Sequence, residues 1–318
     1  MSTTSEKSSS ATKPFFSAQN IVIIGLTWGV VALLFFLLFS VPLPGEELPE
    51  WYSIGTYVFE LGAYLLASIV CFKNWQSPQM VSGRNVWIGI GLGLLFYFIG
   101  GVLFGCWEVL WELDPDVSMA DIFYIISYIF FGWGMTLAVT SKRLNLEVWQ
   151  WVVLVIVALA GIAFAILVAN PFDIFSSPDA KTLAEIIDVG EEIGEASDSL
   201  APPWVITLDK YLEPYAYGVN LFYIIADVFL LIIATALLLA FWGGRFSQSW
   251  RMIAAATFSL YIADMYFKWA DSYAQAEYES GALLEVFFVF TAILFGIGAA
   301  LEYDISTRSR QSRRSRRK

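Results

Sequence analysis

The chain has 318 residues, of which 58% are hydrophobic and only 15% charged, and it contains no histidine. That balance lies far from a soluble domain. The missing histidine excludes His-ligated haem, His-based zinc or di-iron centres, and a phospho-accepting histidine within the chain. The formal net charge of −11 misleads as a global number, because the two signs segregate along the sequence.

Residues 1–18, rich in Ser and Thr with Lys7 and Lys13, read as a disordered tail. Eight apolar runs follow, at 19–41, 51–72, 86–111, 119–140, 148–170, 214–242, 249–271 and 281–303. A bilayer core needs roughly 20 apolar residues per helical crossing. Lipid offers the backbone no partner, so each run must be a helix. The first run is too long for a signal-peptide core, and no cleavage site precedes the second. The fold class is therefore an all-α membrane protein with eight transmembrane helices, its membrane domain covering 19–304.

Lys7, Lys13, Lys73, Arg84, Lys142, Arg143, Arg245, Arg251 and the seven basic residues from Arg308 to Lys318 fall on one side of these crossings. Only Lys181, Lys210 and Lys268 fall on the other. The positive-inside rule puts both termini in the cytoplasm, and an even number of crossings requires them to agree. Cys71 and Cys106 then lie toward opposite faces, too far apart to bridge.

The halves read as a four-plus-four duplication. Tyr57-Val58-Phe59-Glu60, with Trp75 beyond it, parallels Tyr223 to Asp227 with Trp242. Asp121 opens the fourth run as Glu285 opens the eighth, and Phe98-Ile99 through Phe104 matches Tyr261-Ile262 through Phe267. Four crossings per repeat preserve orientation, so the halves form a parallel repeat about an axis along the membrane normal.

In the third run, Gly89 to Gly93 and Gly100-Gly101 are small residues that permit close helix approach, not a phosphate loop. Trp51, Trp75, Trp87, Trp111, Trp149 and Trp250 sit near crossing ends, where aromatic belts form. The long connection 171–212 holds a helix-start signal at Ser177-Pro178-Asp179. An apolar stripe at Leu183, Ile186, Ile187 and Ile193 follows, backed by an acidic face, suited to folding over the outer mouth. The tail 305–318 reads as a basic stop-transfer segment attracting anionic lipid; nucleic acid is not an expected partner.

Ionisable groups inside the hydrocarbon need an explanation, since each costs roughly 2.5–3.5 kcal/mol at a helix centre. At about 1.5 Å per residue, Glu60 and Asp227 fall near mid-membrane and Asp264 in the outer third. Glu108, Asp121, Lys268 and Glu285 fall near the outer face. No comparable set occupies the inner half, so these seven residues define a candidate ligand or ion cavity open to the outside. Asp264 and Lys268, four apart, are placed to pair as an internal salt bridge. Asp121 and Glu285 also suit helix first turns. Lys268 lies too near the outer end for a chromophore lysine, and no cofactor or resident metal is expected.

Residues 118–135, running from Ser118-Met119-Ala120-Asp121 to Phe131-Gly132-Trp133-Gly134-Met135, resemble a segment of the multi-helix membrane sensor modules of bacterial signalling proteins. Residues 220–301 are similar to the later part of such modules, with Asp227, Ile262-Ala263-Asp264 and Glu285. Those modules commonly precede diguanylate cyclase, phosphodiesterase or histidine kinase domains. Here only polar and basic residues follow the last run. The resemblance implies a non-enzymatic sensor signalling through a separate cytoplasmic partner. A transporter or channel, and an accessory subunit docking onto a larger membrane complex, are the alternatives.

Overall fold

The computed structural model describes residues 17–42, 48–113, 115, 117–140, 146–168, 200–242, 247–274 and 280–315. Every regular element among them is helical. Seven of the eight long helices are α1 (Ala18–Phe39), α2 (Glu50–Gln76), α3 (Arg84–Gly105), α4 (Met119–Thr140), α5 (Val148–Val168), α8 (Ser247–Ala274) and α9 (Val286–Ser315). The short α6 (Pro203–Leu212) leads through a 3-10 turn into the long α7 (Ala216–Ala240). The expected spans fall within these helices to within a few residues. Seven to eight are long and apolar enough to cross a membrane; the debatable one, α8, carries Arg251, Asp264 and Lys268.

Six helices close a ring in the order α2, α3, α4, α7, α8, α9, with α9 returning to α2. Helix α1 lies outside against α9 and α2, and α5 lies outside against α7 and α8. These outer helices are apolar nearly all round, with mean hydropathies of 2.8 and 3.0. Leu38 and Leu167 remain about 70% exposed. In water such surfaces would aggregate; in lipid they are matched to the solvent.

Glycine sets the tightest contact. A Cβ on Gly89 would stand 2.6 Å from the Gly134 Cα, and one on Gly134 would meet Ile90 N and Val86 O. Helices α3 and α4 thus touch backbone to backbone, as the small-residue run anticipates. Gly298 of α9 meets Ile253 and Ser249 O of α8 in the same manner.

The end of the bundle carrying Lys73, Arg84 and Arg251 is packed with large buried side chains. Trp87 and Trp250 are fully buried with centroids 6.4 Å apart. Phe131 and Phe295 stack at 5.2 Å and 5°. Asn74 Nδ2 donates to Ala299 O at 2.8 Å, and Ser249 Oγ donates to Gly298 O at 2.8 Å. Trp87 and Trp250 are therefore core plugs, not belt residues, although Trp51 and Trp149 are about half exposed as a belt requires. The period of the run cannot separate these cases, because both place Trp near a helix end.

Three other features depart from the sequence reading. Helix α3 does not continue regularly to 111: Cys106–Leu110 is a π-turn, closed by a hydrogen bond from Leu113 N–H to Trp107 O with Glu112 in the left-handed region. Helix α6 is an addition within the long connection; Pro203 starts it, and its Val205 is fully buried beside Trp107. The apolar stripe at Leu183, Ile186, Ile187 and Ile193, with the acidic face opposite it, lies outside the described residues, as do residues 1–16. Helix α9 runs on through Ser315, so most of the segment read as a tail extends the last crossing.

Gly89→Ala should force α3 from α4 and destabilise by about 1–3 kcal/mol, lowering the apparent unfolding midpoint in detergent. Gly218→Ala, where an added Cβ would find nothing within 4 Å, should leave that midpoint unchanged or slightly raised. Equal effects would contradict the backbone contact.

Candidate ligand cavity

At the opposite end, the ring opens into a cavity of about 330 Å³. Glu60 from α2, Asp121 from α4, Asp264 and Lys268 from α8, and Glu285 at the start of α9 all line it. Five of the seven residues singled out in the sequence therefore share one wall system. Asp227 and Glu108 do not line it directly. Each reaches it through a lining tyrosine, Asp227 through Tyr128 and Glu108 through Tyr57.

Each acid has a distinct environment. Asp121 Oδ2 accepts from Ser118 N–H at 2.8 Å, and Asp121 Oδ1 accepts from the Tyr223 hydroxyl at 2.8 Å. Glu285 accepts from the N–H groups of Gly281 and Ala282 at 2.8 and 3.2 Å. Both acids thus cap the helices they open, satisfying orphan donors while their carboxylates face the cavity. Gly281 sits at φ +104 and its carbonyl accepts from Tyr52 at 2.5 Å. That contact ties α2 to the start of α9.

Deeper in, Tyr128 bridges two aspartates. Its hydroxyl lies 2.6 Å from Asp227 Oδ1 and also contacts Asp264 Oδ2. A phenol carries one hydrogen and a carboxylate carries none. With both carboxyls against one phenol, the second contact needs a proton on an aspartate oxygen that faces Tyr128. The buried Asp227 Oδ2 has no hydrogen-bond partner among the described residues.

The expected Asp264–Lys268 salt bridge is not a direct contact. Asp264 turns inward to Tyr128, whereas Lys268 Nζ donates to Asn220 Oδ1 at 3.5 Å and sits 5.0 Å from the centre of the Tyr223 ring. Helical spacing places both on one face, but an inward hydrogen-bond partner captures the acid while the lysine extends toward the mouth. Glu60 makes no hydrogen bond among the described residues, though it lies among Tyr57, Tyr97 and Tyr124.

Sequence reasoning missed the tyrosines. Tyr57, Tyr97, Tyr124, Tyr128 and Tyr223 form much of the wall, with Phe104, Phe267 and Phe288. Tyr97 stacks on Tyr64 at 4.1 Å and 7°. Tyr124 and Tyr128 stand one turn apart on α4, and with Asp121 form a single stripe; that spacing was the available signal. Among the described residues, no cluster of three or more His, Cys, Asp or Glu is arranged to hold a metal ion.

Fold and site together define a multi-pass, all-helical membrane protein with an acidic, tyrosine-walled cavity at one end. No protein-family model, curated protein or solved structure matches the chain.

Tyr128→Phe should destabilise the detergent-purified protein by about 1–3 kcal/mol, because it strands buried carboxyl oxygens. Asp227→Asn should cost less, since the amide N–H replaces the acid O–H as donor. In infrared spectra, the carbonyl stretch of a protonated carboxyl should weaken in Asp227→Asn. Equal stability losses with an unchanged band would refute the protonated aspartate at Tyr128.

Proposed function

We propose that this chain is a non-enzymatic receptor of the membrane sensor type, with the cavity facing outward and both termini in the cytoplasm. The supporting observation is α9. It opens at the cavity, where Glu285 and Phe288 form part of the wall, and runs for 30 residues. At about 1.5 Å per residue it is about 45 Å long, against about 30 Å for a hydrocarbon core. One rigid element therefore links the ligand end to a basic end that projects beyond the bilayer. Lys73, Arg84, Arg251 and Arg308 gather at that far end, which suits a cytoplasmic face. Output then falls to a separate cytoplasmic partner, and the basic end suits contact with anionic lipid.

An internal four-plus-four repeat fits this arrangement. Trp87 and Trp250 face each other, as do Phe131 and Phe295. Gly134 against Val86 and Ile90 corresponds to Gly298 against Ser249 and Ile253. The ring order α2-α3-α4 followed by α7-α8-α9 repeats itself after half a turn. The capping acids Asp121 and Glu285 are equivalent on this alignment. Such repeats also occur in transporters, which is the second reading. Against it, the cavity ends on stacked aromatics, and α2, α4, α7, α8 and α9 run without an internal break.

The test uses Thr56→Cys, at the cavity wall, modified with the methanethiosulfonate of ethylammonium to plant a tethered cation. The sensor reading expects altered hydrogen exchange at 303–315 and no flux of sodium, potassium or ammonium tracer through proteoliposomes. Unchanged exchange together with tracer flux would favour transport instead.

A further inference from the structure

Resting on the receptor reading, we propose that the cavity takes a singly charged organic amine, its ammonium against Glu60 and its body between the rings of Tyr57, Tyr97 and Tyr124.

The argument begins with which acids are already answered. Asp121 and Glu285 accept backbone N–H groups, and Asp121 also accepts from Tyr223. Asp227 and Asp264 both contact the Tyr128 hydroxyl. Glu108 accepts from Tyr57. Glu60 alone of these six acids has no hydrogen-bond partner among the described residues, and its carboxyl opens into the cavity. A carboxyl away from water stays ionised only beside a counter-charge or a donor, and otherwise takes a proton. The protein's own cation does not supply that counter-charge: Lys268 extends toward Asn220 and Tyr223 at the mouth.

Size and wall chemistry narrow the class. A volume of 330 Å³ is about ten waters' worth, far more than a dehydrated metal ion fills. It suits an organic molecule of about ten non-hydrogen atoms. Tyrosine faces around the acid attract a cation through their quadrupole and cover an apolar body. An anion would meet Glu60, Asp264 and Glu285 together. A neutral polyol would bring Glu60 no counter-charge. Lys268 at the mouth disfavours a second ammonium at the outer end, so one charge is expected.

The full chain in detergent is titrated with 2-phenylethylammonium and hexylammonium chlorides, with 2-phenylethanol and 1-hexanol as neutral counterparts and with sodium and potassium chloride. Calorimetry and the unfolding midpoint report binding. The expected result is saturable binding of an ammonium and not of its alcohol. Glu60→Gln should weaken it about tenfold or more, equivalent to about 1.4 kcal/mol, and Glu60→Asp should weaken it less. Equal binding of the alcohols, or undiminished binding by a folded Glu60→Gln variant, overturns the proposal. The underlying reading is separated by Thr56→Cys in a Cys106→Ser background, labelled in intact cells with a membrane-impermeant maleimide. Labelling that neither amine slows, with no saturable binding, overturns the amine while leaving the outward cavity standing. Absence of labelling overturns both.

Discussion

A carboxyl group cannot face hydrocarbon, and this constraint sets the rotation of the ring helices. Glu60 orients α2, Asp227 orients α7 and Asp264 orients α8, while the acids opening α4 and α9 fix those ends. Once each helix turns its acid inward, its remaining faces are apolar and meet neighbours or lipid. The cavity is thus the place where unavoidable polar groups are collected. Insertion costs of roughly 2.5–3.5 kcal/mol for each such residue at a helix centre make any other rotation expensive.

Collecting like charges creates its own difficulty, and each carboxyl meets it differently. Helix capping answers Asp121 and Glu285 with backbone N–H groups that need an acceptor anyway. The Tyr128 hydroxyl answers Asp227 and Asp264. Asp227 is buried behind Tyr128, whereas Glu60 faces open space.

Spans were legible in the sequence because exclusion of charge over about 20 residues is a composition signal that tertiary contacts barely modify. The site residues were legible for the complementary reason, since Glu60, Asp227 and Asp264 stood out against an apolar background. What stayed hidden depended on partners. Trp87 and Trp250 look like belt residues until each meets the other. Lys268 looks paired to Asp264 until Tyr128 from a different helix claims the acid. The π-turn at Cys106–Leu110 exists beside α6, where Trp107 Nε1 donates to Asp209 at 3.0 Å. No local pattern announces it. The tyrosines were overlooked because an aromatic stripe in a membrane helix is ordinarily lipid-facing or core.

All of this rests on the ring closing between α2 and α9, which brings Glu60 and Glu285 into one cavity. A Cβ on Gly296 would lie 3.4 Å from the Ala67 Cβ, close to the separation a disulfide spans. The decisive measurement is oxidative cross-linking of Ala67→Cys with Gly296→Cys, in a chain carrying a protease site inserted between residues 169 and 199. If the ring closes as described, cleavage leaves the two fragments joined until reductant is added. Fragments that separate without reductant would mean that α2 and α9 are not neighbours, and the cavity as described would not exist.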